Sequence, residues 1–334
     1  MAASAEAFRV AVGRTPSRLV SRDGAASLRA YGPKTGKTPV LLVYAMVNKP
    51  TILDLLPGLS VVERLAASGR PVYLLDWGAA RPEDAERGLE DFVGGVLDRA
   101  VDAVRRRSGG GPVHLAGYCE GGVFSLLYTA LRPEKVRTLA LFATPVDYSK
   151  MGTLSVWARK KNLDAARLAA SFGNIPGSFL HSAFEILKPF TSLRAEQGFL
   201  TGLWCKKLSE GQEAHFLALE RWKKEHVPHP GRAFVEVVRN LFQENRLMKN
   251  SLSLGGERVN LKRVSCPLFV AVGEKDHLVP PAAALPAARL TGSRDAVAVR
   301  VGVGHIGLSV SGRAHKELWP RYLGWIKERD HGRP

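Results

Sequence analysis

Three side chains of different chemistry, each in a glycine-containing segment, give the sequence its reactive potential: Cys119, Asp276 and His305. The strongest pattern is Gly117-Tyr118-Cys119-Glu120-Gly121-Gly122, preceded by the apolar run from Pro112 and followed by a helical run from Val123 to Leu131. It predicts a buried strand, a sharp turn and a helix, with the thiol at the turn, a nucleophile elbow carrying cysteine where serine is usual. Side chains at positions 117 and 121 would strike the neighbouring strand and helix, so both are glycine. Cys119 then stands at the carboxyl end of a strand and the amino end of a helix, where the helix dipole favours the reactive thiolate. Such a thiolate attacks acyl carbonyls and carries the acyl group covalently. A lone cysteine is usually a small buried hydrophobe, so the pattern needs partners. They stand late in the chain: Asp276 in Gly273-Glu274-Lys275-Asp276-His277-Leu278-Val279-Pro280-Pro281, and His305 in Gly302-Val303-Gly304-His305-Ile306-Gly307-Leu308.

These groups need a scaffold that brings distant segments to one edge. Ser17 to Val20 and Ala25 to Tyr31 flank Asp23-Gly24 and predict a hairpin. Apolar runs follow at Val40 to Val47, Val72 to Trp77, Val113 to Tyr118 and Val136 to Ala143, each ending in a turn. Continuous apolar runs suit strands buried on both faces, and the intervals are long enough for crossover helices. Between about Pro145 and Gly256 the strand rhythm stops; aromatic and basic residues fall at helical spacing, broken at Gly173-Asn174-Ile175-Pro176-Gly177 and Val227-Pro228-His229-Pro230-Gly231. Strands return at Pro267 to Gly273 and Ala296 to Gly302, before an amphipathic helix from about Arg313 to Glu328. A nucleophile after the fifth strand, an acid after the seventh and a histidine after the eighth reproduce the chain order of an α/β-hydrolase triad. The expectation is an α/β fold of that kind, a mostly parallel, doubly covered sheet with a helical cap insertion. Its core is divided into residues 1–146 and 257–334, with the cap at 147–256.

The chain of 334 residues is 45% hydrophobic and 24% charged, enough to bury a large core. No apolar run approaches a membrane span, and Met1 to Ser17 lacks the apolar centre of a secretory signal, so a cytoplasmic protein is expected. The three cysteines, Cys119, Cys205 and Cys266, are too few and scattered for a disulfide framework or a metal site, and the latter two read as packing residues. His181, His215, His226, His229 and His315 form no metal spacing. The formal charge of +17 is dispersed, in clusters no longer than Arg105-Arg106-Arg107 or Arg159-Lys160-Lys161, and no nucleic-acid-binding signature accompanies it. Nucleic acid is therefore not expected as the main partner; a phosphate-bearing small substrate or an anionic surface would use the same field. His114, inside an apolar strand, reads as a satisfied core histidine, and Asp76 as a turn residue. His277 is an auxiliary candidate beside the acid, against a plain turn role. Trp222 is another, lining a substrate route or simply packing.

The blocks Leu41-Leu42-Val43-Tyr44-Ala45-Met46-Val47-Asn48-Lys49-Pro50, Val72-Tyr73-Leu74-Leu75-Asp76-Trp77-Gly78, Gly117 to Gly122, Pro133-Glu134-Lys135-Val136, Thr144-Pro145-Val146-Asp147, Val259-Asn260-Leu261-Lys262-Arg263-Val264 and the Asp276 and His305 segments carry a more specific likeness. From about residue 40 onward the chain resembles the polyhydroxyalkanoate synthases, above all the short two-component kind. That resemblance implies polymerisation of 3-hydroxyacyl-coenzyme A, 3-hydroxybutyryl-coenzyme A foremost, with release of coenzyme A and growth of a polyester on the enzyme. Cysteine suits this chemistry: an acyl group moves from one thioester to another at little cost and stays activated for attack by a hydroxyl, whereas a serine oxoester would be as stable as the product bond.

On this reading His305 deprotonates Cys119, and Asp276 orients His305 or joins it in activating the 3-hydroxyl. The oxyanion would rest on the backbone N–H of Glu120 and of Val47. Glu120 stands where this branch commonly has glutamine, and its side chain is expected to point away from the thiol; Asn260 stands where aspartate is usual. The resemblance further implies a helper subunit, a homodimer and association with polyester granules. It implies no cofactor, coenzyme A being part of the substrate and a product. The alternatives are a cysteine thioesterase or esterase with the same triad, and a non-catalytic protein coating granules or binding nucleic acid.

Overall fold

The computed structural model describes residues 11–187 and 209–330, together with Gln197 and Thr201. Its strands are β1 (Ser17–Asp23), β2 (Ala26–Tyr31), β3 (Val40–Val43), β4 (Val72–Asp76), β5 (Val113–Tyr118), β6 (Val136–Phe142), β7 (Ser253–Leu254), β8 (Glu257–Arg258), β9 (Leu268–Gly273) and β10 (Ala296–Val301). Eight of them form one sheet in the order β1-β2-β4-β3-β5-β6-β9-β10, and β7 with β8 makes a separate two-stranded hairpin. The β1–β2 hairpin joins β4 antiparallel, and every pairing from β4 to β10 is parallel.

The apolar runs are long because their strands are covered twice. Every residue of β3, β5 and β9 is buried, and alternate side chains enter opposite cores. Leu41, Val43 and Leu115 join Val101, Val104 and Leu127 of the helices Asp98–Arg107 and Glu120–Leu131. On the other face, Val40, Leu42 and Ala116 meet Val62 and Leu65 of Val61–Ala67 and Tyr322 and Ile326 of Trp319–Lys327. Toward the edges exposure rises: β2 and β10 alternate between covered and more exposed residues, and β1 has no buried residue.

The expected α/β-hydrolase architecture is present, with local differences that have causes. β3 stops at Val43 rather than Val47. Helix Glu120–Leu131 presses on it so closely that a Cβ on Gly121 would lie 2.4 Å from the carbonyl oxygens of Val43 and Tyr44, and from there the chain turns off the sheet. Residues 44–48 thus become a loop at the carboxyl edge. The closing helix is two pieces, Gly312–Glu317 and Trp319–Lys327. The second has Pro320 in its first turn, which lacks the N–H needed to continue the first. Residues 147–256 supply the helices Thr153–Trp157, Ala165–Phe172, Gly177–Leu187, Glu210–Lys223 and Gly231–Glu236. They are rooted in the sheet's own core, where Tyr148, Val237 and Leu241 pack in the cluster that contains Val123 and Leu127.

Candidate active site

Cys119 is the first residue past β5 and adopts φ 55°, ψ −126°, a strained conformation for a residue with a Cβ. The strain is imposed from both sides. Its N–H donates to Phe142 O at 2.8 Å, while its own carbonyl accepts from Gly122 and Val123 of the helix it starts. A Cβ on Gly117 would lie 2.3 Å from the Cα of Gly122, so strand and helix meet at this angle only with glycine there. The elbow expected from the sequence is formed, with a half-buried thiol at its tip.

Asp276 and His305 reach the same edge from the ends of β9, which lies beside β6, and of β10, the next strand out. Asp276 is buried; one carboxylate oxygen accepts the N–H groups of Leu278 (2.9 Å) and Val279 (2.8 Å). The other accepts the Nδ1–H of His305 at 2.7 Å. Because that bond fixes the ring's tautomer, Nε2 is left as the basic atom. Burial alone would lower the His305 pKa, but the charge of Asp276, the nearby Cys119 sulfur and hydrogen bonds to both outweigh it and hold it up at about 10. The imidazole is thereby suited to take a proton from the thiol and remain paired with the thiolate. Tyr118 locks the backbone of the same residue, donating its hydroxyl to His305 O at 2.5 Å.

Two chambers meet at Cys119. One, about 400 Å³, is walled mainly by apolar groups including Tyr148, Phe179, Phe184, Val237 and Leu278, with Glu120 and His229 among them. The other, about 370 Å³, is lined by Tyr44, Asn48, Trp222, His226 and His305. Cys119, Val47, Phe184, Leu187 and Leu278 border both. Val47 thus flanks the nucleophile, and the N–H of Glu120 belongs to the first turn of the helix that Cys119 caps.

The Glu120 side chain is held by partners that the sequence did not announce: its Oε2 accepts the Met46 N–H at 2.9 Å, and its Oε1 lies 3.5 Å from Nε2 of His229. The cause is the early end of β3. The loop that leaves the sheet there presents an amide next to the elbow, and a carboxylate one residue past the nucleophile reaches it. Trp222 packs, and it also borders a chamber. It is buried edge-on to Tyr44, its indole N–H donates to Lys49 O at 2.9 Å, and its ring borders the second chamber. His277 is exposed and is not among the residues lining either chamber.

His114 is a satisfied core histidine, bonded to Thr138 Oγ1 at 2.8 Å and Asp330 Oδ1 at 3.2 Å. Asp76 closes its turn by accepting the Gly78 N–H, and Asn260 does the same with Lys262. Burial pushes the Cys266 thiol up to about 12, which leaves it unreactive. Cys205 lies outside the described residues. Among the described residues no three His, Cys, Asp or Glu side chains gather as a metal ion would require.

The residue that sequence reasoning missed is His229. Its Val-Pro-His-Pro-Gly setting signals only a helix break, and nothing local places it beside the elbow. Its backbone is bridged to Ile175, with N–H···O bonds of 2.9 and 2.8 Å exchanged between the two residues.

Residues 38–310 match the α/β hydrolase fold family. The fold is shared with a monoacylglycerol lipase of Paleococcus ferrophilus, at a TM-score of 0.56 and 16% identity, over 91% of this chain and 99% of that one. It is shared also with the thioesterase domain from the curacin biosynthetic pathway, at 0.52 and 16%, over 92% and 99%. Sequence likeness is much closer to another group. The poly(3-hydroxyalkanoate) polymerase subunit PhaC of Allochromatium vinosum is 36% identical over 95% of this chain and 90% of its own length. The subunit of the same name from Synechocystis is 33% identical over 96% and 86%. The chain belongs to the poly(3-hydroxyalkanoate) polymerase family. The polymerase subunit of Haloferax mediterranei is 37% identical over 96% of this chain, which spans 65% of that longer protein. Among the described residues of this family member, no helix is long and apolar enough to cross a membrane.

Proposed function

We propose that this chain is a polyester synthase that polymerises 3-hydroxyacyl-coenzyme A, 3-hydroxybutyryl-coenzyme A foremost, releasing coenzyme A. The observation that carries the reading is a cysteine elbow, facing a charge-supported imidazole, at the junction of two chambers in a poly(3-hydroxyalkanoate) polymerase family chain.

His305 takes the thiol proton, and the Cys119 sulfur adds to the thioester carbonyl. The tetrahedral oxyanion leans on the N–H groups of Glu120 and Val47. It collapses with loss of coenzyme A thiolate, which leaves with the proton from His305, and the acyl group stays on Cys119. The 3-hydroxyl of another hydroxyacyl unit then attacks the carbonyl of an acyl thioester; His305 removes its proton, and an ester forms as a thiolate departs. Asp276 spends both oxygens on Leu278, Val279 and His305, which favours an orienting role over direct contact with the hydroxyl. No cofactor is needed, since coenzyme A arrives as substrate and leaves as product.

The helices of residues 147–256 act as the cap over this chemistry, the product polyester forms the granule on which the chain works, and a helper subunit and a second copy of the chain complete the enzyme. Purified protein given 3-hydroxybutyryl-coenzyme A, with and without a candidate partner, tests the reading. Coenzyme A release far beyond one equivalent with insoluble polyester is the expected result. Stoichiometric free 3-hydroxybutyrate would make the chain a thioesterase, and no release would reject catalysis.

A further inference from the structure

Glu120 and His229 form a second carboxylate–imidazole pair, outside the triad and within the apolar chamber that Cys119 borders. The His229 side chain is only 2% exposed and that of Glu120 13%. Their donors and acceptors can be counted. Nδ1 of His229 lies 3.0 Å from the carbonyl oxygen of Pro230, which can only accept, so Nδ1 carries a hydrogen. Nε2 then faces Glu120 Oε1 at 3.5 Å. If the ring were neutral and Glu120 ionised, two lone pairs would oppose each other in a low-dielectric wall. The arrangement is favourable when one proton lies between them, on the imidazole or on the carboxyl. At 3.5 Å that bond is long, and the pair retains hydrogen-bonding capacity toward the chamber.

The chamber's position says what would use it. An acyl group on Cys119 that entered this chamber would lie along walls most of which offer only carbon, and Glu120 is the next residue in the chain. A hydroxyl on the third carbon of that acyl group falls within a few bonds of the sulfur. It is both donor and acceptor, as a carboxylate–imidazole pair sharing one proton requires of its ligand.

Resting on the reading above, we propose that the Glu120–His229 pair is a specificity determinant that binds the 3-hydroxyl of the acyl group on Cys119, selecting hydroxyacyl over plain acyl thioesters. The hydroxyl donates to Glu120 Oε1 and accepts from His229 Nε2–H. An acyl group lacking it leaves Glu120 Oε1 and His229 Nε2 with only their long contact to each other, facing carbon, and a polar site built for a hydroxyl discriminates against a ligand without one.

The test measures single-turnover acylation, by release of the first equivalent of coenzyme A, from 3-hydroxybutyryl- and butyryl-coenzyme A. Wild type is compared with His229→Phe, which keeps the ring and removes its polarity, and with Glu120→Gln, whose amide can still accept from Met46 N–H and donate to His229. The wild type prefers the hydroxyacyl substrate, and His229→Phe lowers that preference roughly tenfold or more, with Glu120→Gln restoring most of it relative to Glu120→Ala. Equal slowing of both substrates in His229→Phe would make the pair a structural support of the loop at Met46 and overturn the inference. An unchanged ratio in a folded variant would do the same. Either result leaves the polyester-synthase reading standing, whereas a wild type acylated by neither substrate overturns both.

Discussion

β5 carries a histidine–aspartate pair at each of its ends, and the two behave in opposite ways. At the amino end, His114 meets Asp330 at 3.2 Å, and the carboxylate is held on its other side by Arg70, at 2.5 and 2.8 Å. Past the carboxyl end, His305 meets Asp276 at 2.7 Å beside Cys119. Burial drives the His114 pKa down, with Arg70 and Arg137 adding to it against the opposing pull of Asp330. Burial also works against His305, but Asp276 and the sulfur win and hold it at about 10. Burial leads in the first case and Arg70 adds to it: by neutralising Asp330 it leaves the carboxylate less able to support a second positive charge. At the second site no arginine intervenes between acid and imidazole, and the open side of the ring faces the nucleophile. A buried histidine–aspartate contact is therefore a staple or a base according to what else the carboxylate holds.

That comparison can be broken in order of expected effect. Cys119→Ala removes the atom both chambers converge on, and acyl-enzyme formation should vanish while the fold persists, as read by intact-protein mass and by circular dichroism. Asp276→Asn should lower polymerisation by roughly 10³–10⁴-fold through loss of the charge and the correct tautomer, in a chain that still folds. Its amino-end counterpart, Asp330→Ala, should do the reverse. It leaves Arg70 buried and unpaired, at a cost of about 3–5 kcal/mol, with turnover per folded molecule close to wild type. Denaturant melts paired with active-site titration would separate the two outcomes, and a large catalytic loss in Asp330→Ala would erase the distinction.

The smallest effect is a difference in pH response. A histidine held up at about 10 in the folded state contributes stability that is fully present below its ordinary value near 6.5 and is lost as pH rises through 10. Asp330 runs the other way. Burial opposes its ionisation, but hydrogen bonds to His114 and Arg70 and the charge of Arg70 hold its carboxyl well below the usual range. Its contribution is present above the ordinary aspartate value and lost on acidification, and the lowered His114 pKa adds loss in the same direction. Tm measured across pH should fall on both flanks, with the alkaline flank flattened in His305→Gln and the acid flank in Asp330→Ala.

The triad was legible in the sequence because each member sits in a turn after an apolar run, and chain order alone sets the topology that unites them. The doubly buried strands were legible for the same reason. What escaped depended on close approach. The end of β3 is set by how tightly a glycine lets the next helix pack, which no apolar run records. The partner of the Glu120 carboxylate was not legible because the amide of Met46 becomes available only when that strand stops early. His229 stayed hidden because its contact with Glu120 joins residues 109 positions apart, and a proline-rich break announces neither that contact nor the backbone bridge to Ile175.

The most direct trial of the central claim is the mass of the intact protein, with peptide mapping, after brief exposure to 3-hydroxybutyryl-coenzyme A. A hydroxybutyryl adduct mapped to Cys119, lengthening by whole monomer units as free coenzyme A accumulates, is the predicted result. An adduct on another residue, or one that forms equally in Cys119→Ala, would contradict it.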